Sequence, residues 1–178
     1  NKLNSKDKIV VEYSSINIAK PMHGGNLRAT LLGDFLAKLY EYSGKKVIRW
    51  NYIGDWGTQF GKLIVAYNLW GHKNKIKNNP IDELLSLYIK FHEKSEKDES
   101  LENSAREEFK KLESGDRKNL KLLKWFTKIS LKELGKTYNK LGINFDVIKG
   151  ERFFAKSSKR LVDKLLKLGV ASKSEGAT

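Results

Sequence analysis

Between Ile9 and Asn51 a short apolar run, a glycine-bearing loop, a helix-period stretch and a second short apolar run follow one another, an order that leaves few folds open. Ile9-Val10-Val11-Glu12-Tyr13 is too brief for a helix and reads as a short buried strand. Residues 14–26, with Ser14, Ser15, Asn17, Pro21, Gly24, Gly25 and Asn26, have loop chemistry. From Leu27 the residues Leu27, Leu31, Phe35 and Leu39, with Leu32 and Leu36, recur at helical steps to about Tyr42. Ser43-Gly44 then ends the helix with a glycine suited to left-handed backbone. Val47-Ile48-Arg49-Trp50-Asn51 is a second strand. A strand, a crossover helix and a strand of these lengths predict one right-handed βαβ unit with a parallel pair. The expected fold class is therefore α/β, with half of a nucleotide-binding sheet.

Beyond Asn51 the chain reads as mostly helical. Gly54-Asp55-Trp56-Gly57-Thr58-Gln59-Phe60-Gly61 is too glycine-rich for a strand interior and leads into a helix through Leu63, Ile64, Ala66 and Tyr67. Asn79-Pro80 marks another start, Asn79 capping the first free amides and Pro80 at the first helical position, with Leu84, Leu87, Tyr88 and Phe91 as the apolar stripe. Glu93 to Asn103 reads as an exposed joint. Amphipathic helices are expected over 104–112 and 119–141, the second carrying Leu120, Leu123, Phe126, Leu134, Tyr138 and Leu141. Phe145-Asp146-Val147-Ile148 is a short strand, and a last helix runs from Ser158 to Leu168 before Gly169.

The 178 residues suit one compact domain or one and a half. No Cys is present, which excludes disulfides, thiolate metal sites and a cysteine nucleophile and fits a reducing compartment; three His leave little for a histidine-rich metal site. No apolar run approaches the roughly 20 residues of a membrane helix, and the N-terminus is polar rather than a signal sequence. Net charge is +14, of which +11 lies within residues 110–178. Lys118, Lys121, Lys124, Lys128 and Lys132 recur at three- and four-residue steps, opposite Leu123, Phe126 and Leu134. Such a face either meets a polyanion, nucleic acid before membrane, or is solvated.

The chemistry concentrates in the loop after the first strand, where open α/β sheets bind nucleotides. Free amides and the dipole at a helix N-terminus attract phosphate, and Gly24 and Gly25 lack the Cβ that would keep a ligand from the backbone. Neither a Gly-x-Gly-x-x-Gly fingerprint nor a P-loop is present. His23 is either an ordinary loop histidine or a donor to phosphate oxygens as charge develops in a transition state.

The string Val11-Glu12-Tyr13-Ser14-Ser15-Ile16-Asn17-Ile18-Ala19-Lys20-Pro21, then His23-Gly24-Gly25-Asn26, resembles the class I aminoacyl-tRNA synthetases and, within them, the arginyl-tRNA synthetase family. Gly54 to Gly61 and Phe145-Asp146-Val147 with Gly150-Glu151 match the same family in order, so the resemblance spans about Val10 to Gly176. It implies a Rossmann-like half-sheet with a mostly helical insertion: residues 1–69 as the first half of the nucleotide-binding domain, residues 70–178 as a basic helical insertion and connecting segment. It also implies ATP-dependent activation of arginine and transfer to tRNA(Arg), with Mg²⁺ carried by ATP and no metal held by the protein. Glu12, Ser15, Ile16, Asn17 and Asn26 would bind arginine. His23, Gly24, Gly25, Asn26 and Lys20 would bind ATP, and His23, Asn26 and Lys20 would assist catalysis. Residue chemistry agrees for Glu12, since a strand-end carboxylate takes a guanidinium in a fork, although it could instead pair with Arg28 or Lys20. Lys20 is a phosphate ligand in one reading and a surface lysine in the other. Arg28 is expected in a structural salt bridge, and Asp55, Trp56 and Gln59 as pocket wall.

Two departures stand out: Ile16 replaces the usual proline, and Asn26 replaces the second signature histidine, keeping a donor but losing a positive charge. Neither the Lys-Met-Ser-Lys-Ser signature nor an anticodon-binding domain is matched, so the chain is expected to be truncated before the second half of the catalytic domain. The alternative is a non-catalytic paralogue that binds RNA or protein. A monomer is expected, in the cytoplasm or, alternatively, a mitochondrion.

Overall fold

The computed structural model describes residues 8–173; the outer ends of the 1–69 and 70–178 divisions, and the end of the resemblance at Gly176, lie outside them. The elements are β1 (Lys8–Glu12), α1 (Gly24–Tyr42), β2 (Lys46–Asn51), α2 (Thr58–Trp70), α3 (Lys73–Asn78), α4 (Pro80–Ser95), α5 (Ser100–Ser114), α6 (Arg117–Leu141), β3 (Val147–Ile148) and α7 (Glu151–Lys167). The three strands form one parallel sheet in the order β1-β2-β3, with Ile9 opposite Val47 and Trp50 opposite Val147. Helices α2 to α6 are inserted between β2 and β3, as the α/β reading with a helical insertion requires.

The largest core lies among the inserted helices, where Ile64, Leu84, Phe91, Leu123 and Phe126 are buried together. Gly61 sits inside α2, not in a loop before it, and its bare Cα lets α5 approach: a Cβ there would stand 2.1 Å from the Ala105 carbonyl oxygen. A second core on the sheet joins Tyr13 of the loop after β1, Ala37 of α1 and Ile143. The cation face of α6 is as expected, with Lys118, Lys121, Lys124, Lys128 and Lys132 all exposed. None of the described helices is long and apolar enough to cross a membrane.

Several expectations are corrected. β1 is a half-buried edge strand rather than a buried one, with Val10 56% exposed. The helical steps of α1 left its orientation open, and its leucine-rich side faces outward: Leu31, Leu32, Phe35, Leu36 and Leu39 are exposed, and Thr30, Gly33, Asp34 and Ala37 are buried. Close approach decides this, because a Cβ on Gly33 would lie 2.2 Å from Tyr13 Cβ, so only the small-residue seam of α1 fits against the chain leaving β1. Asp34, drawn inward with that seam, is neutralised by Lys38 at 2.6 Å. Asn79 precedes Pro80 as expected but donates to the Asp82 side chain at 2.8 Å rather than capping with its side chain. Helix α3 was not expected. Glu93 to Asn103 is largely helical, the joint being only residues 96–99. β3 has two residues rather than four, and α7 starts at Glu151 rather than Ser158. That early start has a partner in trans: buried Asp55 accepts from the Arg152 amide at 3.0 Å, where a capping carboxylate is favoured.

Candidate active site

β1 delivers Glu12 to the C-terminal edge of the sheet, and the chain leaves along β2 with Tyr13 N donating to Trp50 O at 3.0 Å. Three non-glycine residues of the next seven have left-handed backbone: Ser14 (φ 75°), Ser15 (φ 47°) and Ala19 (φ 62°). Each costs on the order of 1 kcal/mol, so the corner exists only because its surroundings hold it. The Ser14 hydroxyl is 2.7 Å from the Tyr138 hydroxyl and accepts from Thr30 Oγ1 at 3.0 Å. Asn51 bridges, its Oδ1 accepting from Ser15 N and its Nδ2 donating to Tyr138 OH, both at 3.2 Å. Ala19 N donates to Ser130 Oγ at 3.1 Å.

The corner presents Glu12, Ser15 and Asn17 to solvent. Ser15 Oγ donates to Glu12 Oε1, and among the described residues Glu12 pairs with neither Arg28 nor Lys20. Asn17 lies in a parallel bridge with Gly54, whose missing side chain makes the room: a Cβ at Gly54 would be 1.8 Å from Asn17 Oδ1. Ile16 turns inward, 2% exposed, onto Leu134 and Tyr138, so its side chain does not line the exposed face.

α1 begins at Gly24, three residues earlier than its periodicity suggests, and His23 is its N-cap. His23 Nδ1 accepts from the amides of Gly25 (3.1 Å) and Asn26 (3.3 Å), while Asn26 Oδ1 accepts from His23 N at 3.3 Å. Two of the amides expected to be free are thus occupied by the imidazole. With Nδ1 accepting both amides, Nε2 is the ring nitrogen left to donate. Asn26 spends its oxygen on the cap and keeps its Nδ2 hydrogens for donation. A Cβ on Gly24 would meet nothing within 4 Å, so no protein packing demands glycine there.

Lys20 lies over the Tyr88 ring at 5.5 Å, and Arg28 is exposed with no ion pair among the described residues, contrary to the expected salt bridge. Asp55 holds Arg152, with Nε at 3.2 Å, and lines an open cleft of about 430 Å³ with Ile53, Lys124, Lys149 and Phe153. That cleft lies apart from the His23 turn; of the residues read as pocket wall, it includes Asp55 alone. Gln59 instead donates to Trp56 O at 3.0 Å, and Trp56 packs edge-on to Phe109.

Sequence reading missed Thr30, Asn51, Ser130 and Tyr138. Ser130 carried a usable signal: it falls four residues from both Phe126 and Leu134, a polar residue on an apolar stripe, which calls for a buried hydrogen-bond partner.

Residues 1–178 match the family described as tRNA synthetases class I (R), catalytic domain. Arginine–tRNA ligase from Lactobacillus johnsonii is 48% identical over 169 residues, 95% of this chain and 30% of that protein. The Clostridioides difficile enzyme of that name is 47% identical over 173 residues, 97% of this chain and 31% of its own length. Among solved structures, arginyl-tRNA synthetase from Plasmodium falciparum superposes with a TM-score of 0.74 at 30% identity, over 94% of this chain and 28% of that one. The Thermus thermophilus arginyl-tRNA synthetase gives 0.67 at 26% identity, over 90% and 26%. The chain therefore spans about 30% of the length of the curated relatives it matches.

Proposed function

The chain belongs to the catalytic-domain family of class I arginyl-tRNA synthetases, and on that premise we propose that it supplies part of the substrate site of an arginine–tRNA ligase. In the first step an arginine carboxylate oxygen attacks the α-phosphorus of ATP, forming arginyl-adenylate as the bond to pyrophosphate breaks. In the second the tRNA(Arg) 3′ hydroxyl attacks the arginyl carbonyl and AMP leaves. Mg²⁺ carried by the triphosphate would supply charge neutralisation there.

The observation that carries this proposal is the pairing of a strand-end carboxylate with a capped helix turn across one strained corner. Glu12 takes the guanidinium in a fork, displacing or sharing the Ser15 hydroxyl now bound to it, and Asn17 adds its amide. Ile16 contributes its backbone and its buried anchor. At the other end, His23 Nε2–H and Asn26 Nδ2 donate to phosphate oxygens, and the bare Gly24 and Gly25 let the phosphate come close. Neither residue takes a proton, so rate comes from positioning and charge stabilisation. Lys20 reaches phosphate on leaving the Tyr88 ring. Residues 1–69 serve as the first half of the nucleotide-binding domain, while the basic stretch 70–178 returns to the sheet through β3 and offers the α6 lysines to RNA.

Arginine-dependent exchange of pyrophosphate into ATP by the full-length protein, with and without tRNA, tests the proposal. Glu12→Gln should raise the arginine requirement far more than the ATP requirement. A non-catalytic RNA- or protein-binding paralogue is the second reading, favoured by a His23–Asn26 cap complete without ligand. RNA binding without any exchange activity would select it.

A further inference from the structure

Resting on the arginine-site assignment above, we propose that Tyr138 is a positioning residue for arginine: through Ser14 and Asn51 its hydroxyl locks the left-handed corner from which Glu12, Ser15 and Asn17 are presented. It stands near the end of α6, 124 residues from Ser14, and of the candidate arginine residues it meets only the buried side chain of Ile16 among the described residues. Its hydroxyl is hydrogen-bonded to Ser14 Oγ at 2.7 Å and accepts from Asn51 Nδ2 at 3.2 Å. Asn51 in turn holds the Ser15 amide, so two of the three left-handed residues, Ser14 and Ser15, are linked to one phenol.

Burial makes the device stiff. Ser14 is 4% exposed, Asn51 0% and Tyr138 5%, and the Tyr138 ring is wedged against Phe145 with centroids 5.1 Å apart. Polar groups buried to this degree must find partners inside the protein, so each hydrogen bond selects one geometry of the corner. Two serines without glycine's freedom would otherwise relax towards ordinary backbone, rotating Ser15 and the end of β1 away from each other. Thr30 Oγ1 extends the lock, contacting Ser14 Oγ and the Asn26 carbonyl at 2.7 Å, which ties the arginine corner to the first turn of α1. The same helix repeats the device eight residues earlier, with Ser130 on left-handed Ala19. α6 thus acts as a rail on which the substrate loop is registered.

Arginine-dependent pyrophosphate exchange in the full-length protein tests this with Tyr138→Phe, Ser14→Ala and the double variant. The ring is kept and only the hydroxyl goes, so the corner loosens while the core stays filled. The arginine KM should rise about tenfold or more, since displacement of about 1 Å costs on the order of 10²-fold in a positioned site, while the ATP KM moves less than about twofold. The double variant should fall short of the product of the two singles, because both cut the Ser14–Tyr138 bond while each also loses one of its own, to Thr30 or to Asn51. Thr127→Val, which removes a hydroxyl of the same helix bonded among the described residues only to the Leu123 carbonyl, should leave the arginine KM unchanged. KM is independent of the folded fraction, so partial unfolding lowers apparent kcat without producing the split. Equal rises for both substrates, no rise, or an equal response from Thr127→Val overturns the clamp alone. Absence of arginine-dependent exchange in the unsubstituted protein, both with and without tRNA, overturns the site assignment and the clamp together.

Discussion

Gly54→Ala separates the use of Asn17 from the stability of the loop that carries it. The added Cβ would lie 1.8 Å from Asn17 Oδ1, where ordinary contact begins near 3.4 Å, so the amide oxygen must retreat by about 1.5 Å. That oxygen ends a flexible, exposed side chain and can swing into solvent cheaply. The backbone has less to give, with Asn17 Cα at 3.3 Å, and the bonds Gly54 N to Ile16 O (3.2 Å) and Ile18 N to Gly54 O (3.1 Å) remain possible. Replacing glycine at a compatible position also restricts the unfolded chain, worth about 0.4–1 kcal/mol in the opposite direction. The melting temperature should therefore stay within about 4 °C of the unsubstituted protein. Arginine binding should suffer instead: an evicted amide that bonded a charged substrate forfeits about 1.5–3 kcal/mol, or roughly 10- to 150-fold in arginine KM, with ATP KM nearly unchanged. Thermal denaturation and pyrophosphate exchange on one preparation read both quantities. An arginine KM within twofold of the original would show that Asn17 does not touch arginine. A fall of more than about 8 °C in melting temperature would show that the bridge, not the amide, has been broken.

Three further outcomes are expected. His23→Ala should slow adenylate formation by about 10²- to 10³-fold and also remove the α1 cap, about 1 kcal/mol, whereas His23→Asn should restore the cap but not the rate; equal rates for all three proteins in single-turnover assays would make His23 only a cap. Replacing Lys121, Lys124 and Lys128 by Gln should weaken tRNA binding and flatten its dependence on log salt by roughly 0.7 per lost single-strand contact without moving arginine affinity, and an unchanged slope would assign that face to solvent. Arg49 hydrogen bonds to the Glu41 carboxylate at 2.5 and 2.8 Å and holds its pKa below the ordinary 4.5; the pair therefore stabilises above that value and loses its effect as pH falls through the depressed one. Glu41→Gln should then cost at most about 1 kcal/mol at pH 7, because the carboxylate is 42% exposed, and nothing in strong acid.

The βαβ frame was legible because two short apolar runs flank a helical period that ends at Gly44, whose φ is 83°. The orientation of α1 was not, since periodicity identifies an apolar face without saying whether anything covers it. What turned the helix was the need for Thr30, Gly33 and Ala37 to lie close to the chain leaving β1, a steric fact visible only across elements. His23 was found by its motif, yet its cap was missed because histidine is outside the usual capping set, and with it the occupation of the Gly25 and Asn26 amides. Tyr138 counted as one more apolar residue on α6; its hydroxyl gains meaning only from Ser14, 124 positions away.

The sheet's second pairing, β2 with β3, joins segments far apart in the chain. Arg49 and Asp146 exchange backbone and carboxylate bonds across 97 residues, while most contacts of the intervening helices are made within α2 to α6 themselves. Closing so long a loop from an extended chain would be slow, but a prefolded helical insertion shortens it to the distance between its own two ends. The insertion then acts as the guide for β3, and the corner held by Tyr138 is completed only after α6 is in place. Native geometry at the corner of Ser14 and Ser15 then forms late in folding, after the inserted helices and β3 are in place.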